Sequence, residues 1–118
     1  MENITIIAYT IEQAVEDRVL VDIRTLNPKW KEGMVSHITT NLLSRGYLRE
    51  GTEEINLANL VDLLNQSLLI VRKKSNNFTV EADVLYTGKV ELPSGRRQKI
   101  LIGLNELGRY TLMLPEDW

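Results

Sequence analysis

The feature that most constrains this chain is a change of hydrophobic period at Ser75-Asn76-Asn77. Upstream, Leu57, Leu60, Val61, Leu64, Leu68 and Val71 recur at the i, i+3, i+4, i+7 spacing of one helix face. Asn56 is placed to cap that helix, and Arg72-Lys73-Lys74 closes it where the dipole prefers cations. Downstream, Val80, Ala82, Val84 and Tyr86 alternate with Glu81, Asp83 and Leu85, the two-residue period of a strand. Val90 and Leu92 continue the run beyond Gly88, which reads as a bulge or a bend. Pro93-Ser94-Gly95 and Asn105-Glu106-Leu107-Gly108 have turn composition. Lys99-Ile100-Leu101-Ile102 lies between them, and a last strand from Tyr110 is stopped by Pro115. A chain that passes from helices to strands in this way predicts an α+β fold: a two-layer arrangement in which two to three helices cover a C-terminal three-stranded antiparallel meander.

The N-terminal half carries its own start and stop signals. Residues 4–9 form a β-rich run placed to join the edge of the meander. Thr10 and Gln13 have the spacing of a capping box, so a short helix should begin at Ile11 and end near Asp17-Arg18, with an extended segment over residues 19–23 packed beneath it. Asn27-Pro28 is a second start, and Trp30, Met34, Ile38 and Leu42 recur every four residues, flanked by Val35 and Leu43. With Gly46 as a stop, this spacing predicts a helix of about four turns. Tyr47-Leu48-Arg49-Glu50-Gly51-Thr52 reads as a polar connection.

At 118 residues the chain has room for one core, so a single domain over 1–118 is expected. It is 43% apolar and 25% charged, which is ordinary for a folded protein. The absence of cysteine excludes disulfides, thiolate-bound metal and cysteine nucleophiles, and favours a reducing cytoplasmic setting. No apolar run approaches the roughly 20 residues of a membrane span. The net charge of −2 neither recommends nor forbids nucleic acid, although residues 1–70 lean acidic and residues 71–118 lean basic.

Chemistry is sparse. His37 is the single histidine, too few for a common zinc site, and it lies beside the Met34/Ile38/Leu42 stripe as a boundary residue. None of Ser36, Ser44, Ser67, Ser75 or Ser94 sits in a nucleophile-elbow sequence. The carboxylate pairs Glu16-Asp17, Glu53-Glu54 and Glu116-Asp117 are adjacent in sequence and so point apart, as solvated end charges do. Gly103 and Gly108 bracket a turn and lack the Lys-Ser/Thr of a phosphate loop. No catalytic, cofactor or metal site is expected, and the chain does not read as an enzyme. The basic residues Arg72, Lys73, Lys74, Arg96, Arg97 and Lys99 are the candidates for nucleic-acid contact, a helix end and a hairpin tip.

Two stretches carry a resemblance: Tyr9-Thr10 with Gln13-Ala14-Val15-Glu16-Asp17 and Leu20-Val21-Asp22, and Lys99-Ile100-Leu101-Ile102-Gly103 with the closing Met113-Leu114-Pro115-Glu116-Asp117. Together they resemble a family of small uncharacterised proteins of plasmids and bacteriophages. The likeness covers about a third of the chain, leaves residues 25–77 unmatched, and departs at Arg18, where that family usually has glycine. It implies a mobile-element setting and no catalytic residues. The expected function is therefore a non-enzymatic protein-interaction protein of a phage or plasmid, binding a protein partner through a helix face or a sheet edge. The alternative is a small nucleic-acid-binding accessory protein using the basic hairpin and helix end.

Overall fold

A computed structural model describes residues 10–26, 33–49, 51–52, 54–75 and 85–117. The expected strand over residues 4–9, the Asn27-Pro28 helix start and the alternation over 80–84 lie outside these residues. The capping box is formed: the Thr10 hydroxyl accepts from the Gln13 N–H, and the Gln13 side chain accepts from the Thr10 N–H. It starts helix α1 (Ile11–Glu16), followed by strand β1 (Leu20–Asp22) and one helical turn, α2 (Ile23–Leu26). Arg18, in the turn between α1 and β1, has φ 60°, the left-handed region that a glycine adopts without cost.

Over the described residues 33–45 the expected four-turn helix is not formed. Its middle is strand β2 (Val35–Thr39), and only one turn of helix, α3 (Thr40–Leu43), follows. The four-residue recurrence of Met34, Ile38 and Leu42 misled because four is also a multiple of the strand period of two. All five residues of β2 are buried, as in a strand covered on both faces. Two local signals point the same way: Val35, Ile38 and Thr39 are β-branched, and no charged residue lies between Glu32 and Arg45 to form a solvated helix face. Thr39 ends the strand by capping α3, its hydroxyl accepting from the Leu42 N–H.

Helix α4 (Leu57–Ser75) forms as expected, with the Asn56 side chain accepting from the Asn59 N–H. Its buried face is rotated from the expected stripe: Leu60, Leu63 and Ser67 are buried, while Leu57 and Val61 are exposed. Tyr47, placed by sequence in a polar connection, is in the core. Strands β3 (Leu85–Glu91), β4 (Arg97–Leu104) and β5 (Tyr110–Met113) are successively antiparallel, as the meander required, and a 3-10 turn (Pro115–Asp117) follows. They do not stand alone. The sheet is five-stranded and mixed, in the order β1-β2-β5-β4-β3, because β2 adds parallel to β5 and β1 adds antiparallel to β2. Gly88 makes no bulge, since β3 and β4 pair without interruption from Leu85↔Gly103 to Glu91↔Arg97. A Cβ there would come within 2.7 Å of Ile70 Cδ1, so its role is to let α4 lie close on β3.

The register sorts the sheet into two faces. Ile38, Leu112, Ile102, Tyr86, Ile100 and Val90 share one face and form the main core with Leu60 and Leu63 of α4. Leu20, Thr39, Met113 and Leu101 lie on the other, with Asp22, His37 and Thr111 in the adjacent row. No helix among the described residues is long and apolar enough to cross a membrane.

Candidate interaction groove

The expected basic residues fall into two groups. Arg72, Lys73 and Lys74 occupy the C-terminal end of α4, whereas Arg96, Arg97 and Lys99 are exposed at and after the β3–β4 turn. Two contacts show how α4 runs along β3. The Gln66 side chain bonds both the N–H and the C=O of Glu91, at 2.8 and 3.0 Å, and Ile70 lies over Gly88. The helix end carrying 72–74 therefore points toward the Leu85 end of β3, away from the hairpin tip. The two groups do not converge. Beside the hairpin group the register adds a cation that sequence reading overlooked: Lys89 is the direct cross-strand partner of Lys99, next to the Glu91↔Arg97 pair.

His37 is a buried strand residue rather than a helix-boundary one. Its Nδ1 lies 2.7 Å from the Ser36 hydroxyl, which accepts from Asn105 Nδ2 at 2.7 Å, and Asn105 also donates to the Thr111 hydroxyl. Ser36 is left over by the register shift between Val35 and His37, and this irregularity turns it toward Asn105. Burial depresses the His37 pKa; the Asp22 carboxylate opposes that, and Arg109 and Arg24 reinforce it. For Asp22, burial pushes upward but the hydrogen bonds and charge of Arg24 outweigh it, so its carboxyl titrates below the usual range. Ser36 and His37 are 1% and 3% exposed, so this serine–histidine contact is enclosed within the protein. It is a polar joint between β2 and the β4–β5 turn.

The expectation of solvated end charge fails at Asp117, because the final turn folds its carboxylate inward onto three hydrogen-bond donors. Glu116 is exposed and pairs with Arg45 at 3.4 Å, whereas Asp117 is buried. Asp117 accepts from the Thr39 hydroxyl, the Leu114 N–H and Asn41 Nδ2. Glu54 is exposed near Arg49, Glu16 and Asp17 are exposed at the end of α1, and Glu53 lies outside the described residues. Among the described residues no three His, Asp or Glu side chains gather into a metal site.

What remains is a groove of about 620 Å³ along the outer edge of β1. Leu20 and Val21 both line it although their side chains point to opposite faces of the sheet, so the groove follows the strand edge. Val15 and Arg18 form one wall; Leu26, Leu43, Leu48 and Ile55 form the other. The backbone is oriented for pairing. Thr40 N–H donates to Val19 O, so by alternation Leu20 and Asp22 turn their N–H and C=O groups away from β2. The Asp22 carbonyl is taken by the Thr25 hydroxyl at 2.7 Å, so among the described residues Leu20 turns both its N–H and its C=O toward the groove. The Leu48↔Ile55 bridge shapes the far wall, and Arg18 is exposed at the rim. Sequence reading packed Leu20 and Val21 beneath the first helix and took residues 47–52 as connection. Only their meeting across 40 residues of chain makes a groove. Comparison with protein-family models, with curated proteins and with solved structures finds no match to this chain.

Proposed function

We propose that this protein is a non-enzymatic interaction module, in the phage or plasmid setting its resemblance implies, that takes an extended segment of a partner protein as an added strand along β1. The observation carrying this reading is the outward-facing backbone of Leu20 between two apolar walls. Strand addition draws its affinity from backbone hydrogen bonds and its specificity from side-chain pockets on either side, and this edge supplies both. Arg18 at the rim suits a segment carrying a carboxylate beside its apolar residues. A second reading has its own observation. Lys89 and Lys99 stand directly opposite each other at a cost to the sheet, which an anionic backbone would relieve.

One experiment separates the two. Capture from host lysate is compared with and without nuclease, using wild type, Val15→Glu, and the double variant Arg97→Ser/Lys99→Ser. Val15 is 38% exposed, so the glutamate should leave the fold intact while charging one wall of the groove. Strand addition predicts nuclease-resistant capture that Val15→Glu abolishes and the double variant retains. Capture lost with nuclease or with the double variant, and indifferent to Val15→Glu, moves the function to nucleic acid.

A further inference from the structure

A second cavity, of about 320 Å³, lies on the helix side of the sheet, away from β1's outer edge. Its apolar lining comes from Ile23 of α2, Met34 and Val35 at the start of β2, and Val61, Leu64 and Leu68 of α4. These α4 residues include part of the stripe that the rotation of the helix left outside the core. The cavity explains why the sequence stripe is wider than the buried face: Val61 is 40% exposed because it borders this cavity.

The polar group that decides what fits is Arg109, from the β4–β5 turn. Its Nε–H donates to Gly33 O at 2.7 Å and an Nη2–H to Val35 O at 3.0 Å, so the guanidinium is held in place by two carbonyls. Two of its five N–H donors are spent and, among the described residues, three remain. No carboxylate among the described residues pairs with it. Arg24, the other arginine at this cavity, is bonded to Asp22 at 3.1 Å and is neutralised there. The site thus offers one fixed cation, uncompensated among the described residues, beside an apolar space at the small end of ligand pockets, which run from ~300 to ~1,000 Å³.

We infer that this cavity binds a small amphipathic carboxylate, its apolar body between α4 and β2 and its head on the Arg109 guanidinium. A carboxylate matches the planar donor fork and carries the single charge that one unpaired arginine balances. A dianion such as a phosphate monoester would need a second free cation, and would approach Asp22 instead. This inference rests on Arg109 and α4 and is independent of the β1 groove.

The test titrates octanoate, octanol and octylammonium, all below their aggregation concentrations, into the folded chain and follows backbone amide shifts. Octanoate should bind with shifts centred on Val35, Val61, Leu68 and Arg109, about tenfold more tightly than octanol, the scale of one charge-assisted hydrogen bond. Octylammonium should not bind. Arg109→Gln should remove the preference for octanoate over octanol. Because Arg109 also braces Gly33 and Val35, Val61→Glu serves as a second variant: at this exposed position a carboxylate occupies the cavity rim and should abolish octanoate binding without unfolding the chain. Equal affinity for octanoate and octanol, shifts centred elsewhere, or octanoate binding that survives Val61→Glu in a folded protein overturns the inference.

Discussion

The two faces of the sheet are held by different physics. The face under α4 is almost wholly apolar: Ile38, Ile100, Ile102, Leu112 and Val90 pack against Leu60 and Leu63. The other face combines Leu20, Leu101 and Met113 with buried polar groups, His37, Thr39 and Thr111, and the Asp117 carboxylate braces Thr39 from the chain's last turn. Apolar burial is non-directional and tolerates small displacements, whereas a buried polar joint is favourable only when each donor finds its acceptor. The first face sets how stable the protein is. The second fixes how β2, inserted between β1 and β5, is oriented at both of its ends: His37 and Ser36 tie it to Asn105, and Thr39 ties it to Asp117. The apolar face has one misfit, the Tyr47 hydroxyl, which is buried and finds no hydrogen-bond partner among the described residues. Burial, aided by the Asp62 charge, pushes its pKa up to about 12.

The sharpest test of this contrast is Leu63→Ala. Leu63 is 0% exposed at the centre of the α4 contact, and truncation should cost about 2–5 kcal/mol in denaturant unfolding. Leu64, one residue along and only partly buried, should cost clearly less when truncated; equal losses would mean that the buried face of α4 is not where the rotation puts it.

On the polar face, Asp117→Asn keeps the shape but turns one acceptor into a donor. Thr39 and the Leu114 N–H donate to one oxygen and Asn41 to the other, so the amide faces a donor with a donor or forces the Asn41 amide to turn over. A loss of about 1–3 kcal/mol is expected, the cost of one buried unsatisfied group. A loss below ~0.5 kcal/mol would show that the C-terminal turn is not braced through Thr39.

The smallest effect is that of pH. The folded His37 binds its proton less readily than the unfolded residue, whose pKa is near 6.5, so between the depressed folded value and about 6.5 the unfolded chain holds more protons. Stability should be flat above that window and fall as pH drops through it. Asp22, also depressed, adds a separate loss only near and below its ordinary 3.8. Unfolding midpoints measured from pH 8 to 5 should show the first decline, and His37→Gln should remove it. A decline unchanged by that substitution would assign it to another group.

Much of the fold was legible because its signals are local. The Thr10/Gln13 capping box, the Asn56 cap and the turns at Gly95 and Asn105 each specify a few neighbouring dihedrals, and each element they delimit is formed. Strand β2 was not legible by its spacing. What makes residues 35–39 a strand is pairing with β1 on one side and with β5, more than 70 residues later, on the other. The candidate sites were hidden for the same reason. Val15, Arg18, Leu20, Leu43 and Ile55 carry no motif and meet only at the edge of β1, and Arg109 reads as one more turn cation until Gly33 and Val35 fold against it.

The sequence by itself determined the α+β class, the capped starts of α1 and α4, the antiparallel run of β3, β4 and β5, and the absence of thiol chemistry. Periodicity and capping act over a few residues, and composition does not depend on the fold. The tertiary structure alone decided the parallel insertion of β2, the rotation of α4 about its axis, the burial of His37 and Asp117, and the place of β1 at the sheet edge among the described residues. Each of these follows from which distant surfaces meet, and that is settled by burying apolar area while giving each inner strand a partner on both sides.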